Sequence, residues 1–104
     1  MQNIEIPWSS EIGDRQFGRI IDQAIAAAGL IVTLRDSLKS FPGCTHWHVK
    51  NGQERGTLEI TAWPREHRAW FSVQSGRKAR WIGEKVKLLQ GIRSTIHTLT
   101  PVLA

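Results

Sequence analysis

Apolar residues spaced three and four positions apart dominate the first part of the chain. They recur from Phe17 to Phe41, and Gly29 interrupts the run without shifting its phase. This spacing places them on one face of an α-helix. A proline cannot continue a helix, so Pro42 marks its end. We therefore predict an N-terminal arm over residues 1–10, followed by one long helix over residues 11–40.

The pattern changes to strict alternation over residues 44–75. Three runs, "THWHVK", "GTLEITAW" and "RAWFSVQ", read as strands, and Asn51-Gly52 favours a hairpin because both residues tolerate positive φ. A second helical stripe then covers residues 82–99. The order α-β-β-β-α predicts a single α+β domain over residues 1–104. In the predicted domain, a two-layer sandwich, two helices cover one face of a three-stranded antiparallel meander and leave the other face open.

Successive side chains of a strand point to opposite faces, so the two faces of this sheet can be assigned. The apolar set forms the core: Trp47, Val49, Leu58, Ile60, Ala62, Phe71 and Val73. The opposite face carries a candidate ligand or interface surface: His46, His48, Glu59, Trp63, Trp70 and Ser72. A short hairpin loop would place His46 opposite Thr57 or Glu59. A tight second turn would place Trp63 opposite Trp70 as an aromatic platform.

The two histidines of "THWHV" suggest one specific chemistry for this face. His46 and His48 point to the same side, and Glu59 on the next strand is the best third ligand for a metal such as zinc. His67 and Cys44 are more remote additions to this set. The alternative is that both histidines are half-exposed polar residues of an ordinary strand.

Signatures of catalysis are absent from the sequence. It contains no nucleophile elbow, phosphate-binding glycine loop or paired carboxylates. We therefore expect a binding module rather than an enzyme, and we expect no cofactor.

Charge adds a second candidate site. The chain has a formal net charge of +5, and its whole excess lies between Arg77 and Arg93, where six basic residues accompany the single acidic Glu84. Such asymmetry suggests an anionic partner, although a solvated helix face is the alternative. The leading hypothesis is contact with nucleic-acid phosphates through five cations: Arg77, Lys78, Arg80, Lys85 and Lys87.

The predicted element order, with the cations of "GRKARWIGEK" at the start of the last helix, resembles the layout of double-stranded-RNA-binding domains. The resemblance implies that this helix start grips phosphates across a groove. The first helix and the first hairpin loop, here Lys50 to Gly56, would then reach the flanking minor grooves. The loop does not contain that family's Gly-Pro-x-His pattern, so the resemblance is one of element order.

Two further expectations concern partners and location. A homodimer, formed through the open sheet face or along the long first helix, is the alternative to nucleic-acid binding. The single cysteine, Cys44, excludes an internal disulfide, and the N-terminal residues do not read as a signal peptide. No apolar run reaches the roughly 18 residues of a membrane span. We therefore expect a cytoplasmic protein that does not contact membranes.

Overall fold

Five strands and two helices form the part of the protein that a computed structural model describes, which is residues 2–8, 11–73 and 79–89. In chain order they are β1 (Gln2–Ile6), α1 (Asp14–Ala27), β2 (Ile31–Asp36), β3 (Thr45–Lys50), β4 (Leu58–Trp63), β5 (Arg68–Val73) and α2 (Arg80–Leu89). A 3₁₀ turn at Pro64–Glu66 joins β4 to β5. The strands form one antiparallel sheet in the order β1-β5-β4-β3-β2.

The predicted α+β class is therefore confirmed, whereas the predicted three-stranded meander is wrong. The segment predicted as an N-terminal arm forms edge strand β1 and pairs with β5. Residues 31–36, which were predicted to belong to the long helix, form the opposite edge strand, β2, and pair with β3. With two additional strands, the element order is no longer the α-β-β-β-α order on which the resemblance to RNA-binding domains rested.

Gly29 explains why the first helix is short. Its φ of +74° is left-handed, a conformation in which a side chain would be strained. The Leu30 amide donates to the Ile25 carbonyl, and the Gly29 amide donates to the Ala26 carbonyl. These two bonds make a Schellman motif, with buried Leu30 lying after the glycine as the motif prefers. Gly29 thus ends α1 rather than bending it.

The apolar residues after Gly29 kept a helical spacing by coincidence. Ile31 and Leu34 lie on edge strand β2 and are 55% and 41% exposed, so they belong to no buried helix face. Leu38 and Phe41 lie in the connection between β2 and β3. The run "IVT" that opens β2 is rich in β-branched residues, which favour strands.

One face of the sheet packs against both helices. The core residues predicted on the three central strands are all buried there, together with Phe17, Ile21 and Ile25 of α1. Trp81 at the start of α2 is also buried, and its indole N–H donates to the Arg55 carbonyl at 2.6 Å. This contact anchors α2 to the loop between β3 and β4. The portion of the predicted last helix beyond Leu89 lies outside the described residues.

Neither helix in the described ranges is long and apolar enough to cross a membrane.

Candidate metal centre

The sheet face that points away from the helices, here called the polar face, carries the candidate site. Strand pairing places His48 opposite Glu59, and His46 opposite Thr61. The predicted partners of His46, Thr57 and Glu59, are therefore wrong as directly opposed pairs. The connection between β3 and β4 is longer than a tight hairpin, but the shift is an even number of residues. Each side chain consequently stays on its predicted face.

Three ligand-type side chains converge on this face, and we call them the histidine–glutamate cluster: His46, His48 and Glu59. The His46 Nε2 atom lies 3.0 Å from Glu59 Oε1 and 3.1 Å from His48 Nε2. The third edge, from His48 Nε2 to Glu59 Oε1, is 3.5 Å. Glu59, the third ligand predicted from the sequence, thus lies close to both histidines.

These three edges match the ligand spacing of a zinc site. With bonds of about 2.0–2.1 Å, tetrahedral geometry separates neighbouring ligand atoms by about 3.3 Å. The observed edges of 3.0, 3.1 and 3.5 Å lie on either side of that value. A point on the axis of this triangle therefore lies within zinc-bonding distance of all three atoms.

Thr61 sets the orientation of the His46 ring. Its hydroxyl oxygen lies 2.8 Å from His46 Nδ1, on the opposite side of the ring from the cluster. In the tautomer that donates the Nδ1 proton to Thr61, the Nε2 lone pair points at Glu59 and His48. A hydrogen bond of this kind to the second ring nitrogen is the usual support for a metal-binding histidine.

The cluster is largely shielded from solvent. His46 and Glu59 are each 6% exposed, and Thr61 is 1% exposed. The His48 side chain is 24% exposed and forms the outer side of the cluster. A buried carboxylate is costly unless a cation or several donors face it, and here two imidazole nitrogens face Glu59.

A pocket of about 250 Å³ adjoins the cluster. Its polar lining comes from Asn3, His46, Glu59, Thr61, Arg68 and Ser72, and its apolar lining from Leu38, Phe41 and Trp70. Leu38 and Phe41 belong to residues 37–44, which we call the covering segment because it lies over part of the polar face. The prediction that this face is open is therefore wrong.

The covering segment also changes the role of the two tryptophans. Trp63 lies opposite Arg68, and Trp70 lies opposite Thr61, so the predicted Trp63–Trp70 pair is not formed. Instead, the Phe41 ring makes edge contacts with both indoles at 5.0 and 5.2 Å. The Trp63 indole N–H donates to the Pro42 carbonyl at 3.0 Å. The two tryptophans thus hold the covering segment and do not present a flat platform.

The remaining predicted ligands lie outside the cluster. In the part of the chain that the structure describes, neither Cys44 nor His67 contributes to the group of convergent ligand atoms. Cys44 is buried, and its sulfur accepts a hydrogen bond from the Leu38 amide at 3.3 Å. His67 lies against the Trp8 ring, beyond the end of the 3₁₀ turn.

Sequence reasoning missed the residues that complete the site. Thr61 was given no role, although its position two residues after Glu59 places it on the same face of the strand. Asn3 reaches the pocket because β1 pairs with β5, and its side-chain oxygen accepts a hydrogen bond from Ser72. Phe41 was interpreted only as the last position of the helical apolar spacing. No local sequence pattern predicts either edge strand β1 or the covering segment.

The predicted phosphate-binding cations are only partly described. Arg77 and Lys78 lie outside the described residues, as does the side chain of Lys87. Arg80 is exposed at the start of α2. Lys85 is half-buried, and its ammonium group donates to the Ala28 carbonyl at 2.6 Å, at the C-terminal end of α1 where a positive charge is stabilising. Nucleic-acid contact stays a prediction.

The homodimer hypothesis also stays a prediction. One of its two suggested interfaces, a seam along a long first helix, is not available because α1 ends at Ala27 and its apolar face is buried in the core. Comparison with known protein families, with curated proteins and with solved structures found no significant match. The candidate function therefore follows from the geometry of the site.

Proposed function

We propose that this protein binds a divalent transition metal ion, with zinc as the reference ion, through His46, His48 and Glu59. One observation carries the proposal: the three ligand atoms form a triangle with edges of 3.0–3.5 Å. Each of these atoms can present a lone pair to the others. A proton on one nitrogen can bridge only some of the contacts, whereas one cation between the three atoms satisfies all of them.

The donor set indicates the kind of metal site. Two histidines with one glutamate are found in zinc enzymes that keep a fourth coordination position open, whereas structural zinc sites are closed by four protein ligands. The described part of the chain offers three convergent ligands and a pocket beside two of them. Among the described residues, the donor set is thus that of an open site.

Zinc should stabilise the protein measurably. A ligand that binds only the folded state, at a free concentration about 100 times its Kd, adds about 2.7 kcal/mol to the free energy of unfolding. For a chain of this size, each 1 kcal/mol raises Tm by roughly 4–8 °C. The measurement is thermal unfolding of chelator-treated protein with and without Zn²⁺, paired with calorimetric titration for stoichiometry.

Two controls sharpen this experiment. Mg²⁺ should leave Tm unchanged, because magnesium prefers octahedral oxygen ligands to imidazole. Co²⁺ should bind and develop the visible absorption of a tetrahedral site. An unchanged Tm in Zn²⁺, with no heat of binding at one equivalent, would rule the metal site out.

A second proposal concerns the basic segment, and the exposure of Arg80 favours it. We infer that residues 77–93 contact nucleic-acid phosphates, duplex in preference to single strands. Because Lys85 donates to the Ala28 carbonyl, five basic residues remain for phosphates, and log K should fall against log salt with a slope of about −4.5 on duplex DNA. Fluorescence anisotropy of labelled duplex RNA and DNA measures this slope.

Substitutions make the nucleic-acid test specific. Arg80→Ala should reduce the salt slope by about 1, whereas Arg65→Ala, an exposed arginine of the 3₁₀ turn, should leave it unchanged. The absence of binding at low salt would eliminate this proposal and leave the metal proposal untouched.

A further inference from the structure

We infer that the metal-loaded site takes a small organic carboxylate of about one aromatic ring, bound in the pocket with its carboxylate on the open coordination position of the metal. The inference rests on the proposed metal site. It adds the chemical class of the molecule that the site recognises. Charge, pocket size and the chemistry of the walls each support it.

The net charge at the histidine–glutamate cluster decides whether the pocket favours a cationic or an anionic ligand. Glu59 is the acidic side chain of the pocket lining, and an ionised carboxylate there repels anions. A divalent ion at the cluster outweighs this single negative charge. Because bound cations are often the largest local charges in a site, the metal converts this part of the pocket from anion-repelling to anion-binding.

The charges at the rim of the pocket do not cancel the positive charge that the metal brings to the cluster. Arg68 lines the pocket and forms an ion pair with Glu5, so the two charges at the rim nearly cancel. The Arg68 guanidinium also lies over the Trp70 ring, 5.0 Å from its centroid. The rim is thus close to neutral, and the charge of the metal and Glu59 decides which ligands bind.

Pocket size limits the ligand. Small-molecule sites usually occupy about 300–1,000 Å³, and this pocket of about 250 Å³ is smaller than that range. A cavity of about 150 Å³ is enough to hold benzene. The remaining volume suits one carboxylate group.

The walls of the pocket favour a planar ring. Leu38 and Phe41 of the covering segment face the pocket, and Trp70 forms its aromatic wall. Aromatic rings prefer edge-to-face and offset contacts, such as the one already made between Phe41 and Trp70 at 5.2 Å. His46 and Glu59 of the cluster also line the pocket, so a ligand whose carboxylate reaches the metal can place its ring against these apolar residues.

Benzoate is the probe that tests this inference, by calorimetric titration of zinc-loaded and metal-free protein. Acetate carries the same charge without a ring, and benzyl alcohol carries the ring without the charge. We expect benzoate to bind zinc-loaded protein at least tenfold more tightly than either analogue. We also expect its affinity to fall at least tenfold when zinc is removed.

Two substitutions in the covering segment locate the binding. Phe41→Ala should weaken benzoate binding at least fivefold, while Lys39→Ala, an exposed residue outside the pocket lining, should not change it. Bound zinc is measured in every sample before benzoate is added.

The possible failures are distinguishable. Normal zinc binding without benzoate binding, or with equal benzoate binding to metal-free protein, would overturn the carboxylate inference and leave the metal site intact. Failure of zinc itself to bind would remove both.

Discussion

Replacing Glu59 with glutamine should weaken zinc binding by more than about 100-fold, a larger loss than the 10–100-fold typical of an outer hydrogen-bond partner. Glutamine keeps the shape of the side chain and removes its charge, so the variant tests the carboxylate as a ligand. His48→Ala should have a similar effect, and its side chain is 24% exposed, so the fold should tolerate the change. The measurement is the rise in Tm caused by zinc in each variant.

Thr61 allows a graded version of the same test. Thr61→Val removes the hydroxyl that contacts His46 Nδ1 and leaves all three ligands in place. We expect zinc affinity to fall by about 10–100-fold, which is a smaller loss than for Glu59→Gln. This order of effects distinguishes an oriented metal site from histidines that bind zinc nonspecifically.

His67→Asn is the matched control. It removes a histidine outside the cluster and keeps a residue that tolerates the left-handed backbone at this position, where φ is 53°. Zinc should stabilise this variant as it stabilises the wild type. If Glu59→Gln retained the full zinc-induced rise in Tm, the metal would have to bind elsewhere on the chain.

Trp47→Ala should produce the largest loss of stability. Trp47 is 1% exposed on central strand β3, and its indole N–H donates to Asp22 of α1 at 3.0 Å. Truncation of a buried tryptophan to alanine costs about 3–5 kcal/mol, a large part of the 5–15 kcal/mol that stabilises a typical domain. Denaturant titration of metal-free protein measures the free energy of unfolding directly.

Ile31→Ala is the control for that experiment. Ile31 is also a large apolar residue on a strand, but it is 55% exposed at the sheet edge. Its substitution should change the free energy of unfolding by no more than about 0.5 kcal/mol. A loss below 1 kcal/mol for Trp47→Ala would contradict the core described here.

Much of the candidate site could be predicted from the sequence, because strand alternation depends on parity alone. His46, His48 and Glu59 had to share a face for any pairing that kept the polar residues together, and they do. Their mutual distances could not be predicted, because the register depends on the length of the loop between β3 and β4. The two hairpin loops considered would place Thr57 or Glu59 opposite His46. Both loops are shorter than the one in the structure, which places Thr61 there.

The first forty residues show where a local pattern misleads. Helical spacing persisted from Phe17 through Phe41, yet only the residues before Gly29 form a helix. The left-handed glycine ends it, and hydrogen bonding to β3 makes the next segment a strand. Hydrogen bonding between β2 and β3 thus overrides an apolar spacing that fits either a helix or a strand.

By itself, the sequence determined the α+β class, the core side of the three central strands and the residues that form the histidine–glutamate cluster. These depend on periodicity and residue type, which are local properties. Only the tertiary structure decided that the sheet has five strands, that Thr61 supports His46, and that the covering segment closes a pocket over Trp70. Those features depend on pairing and packing between separate segments of the chain. The free energies of these contacts cannot be predicted from any one short stretch of sequence.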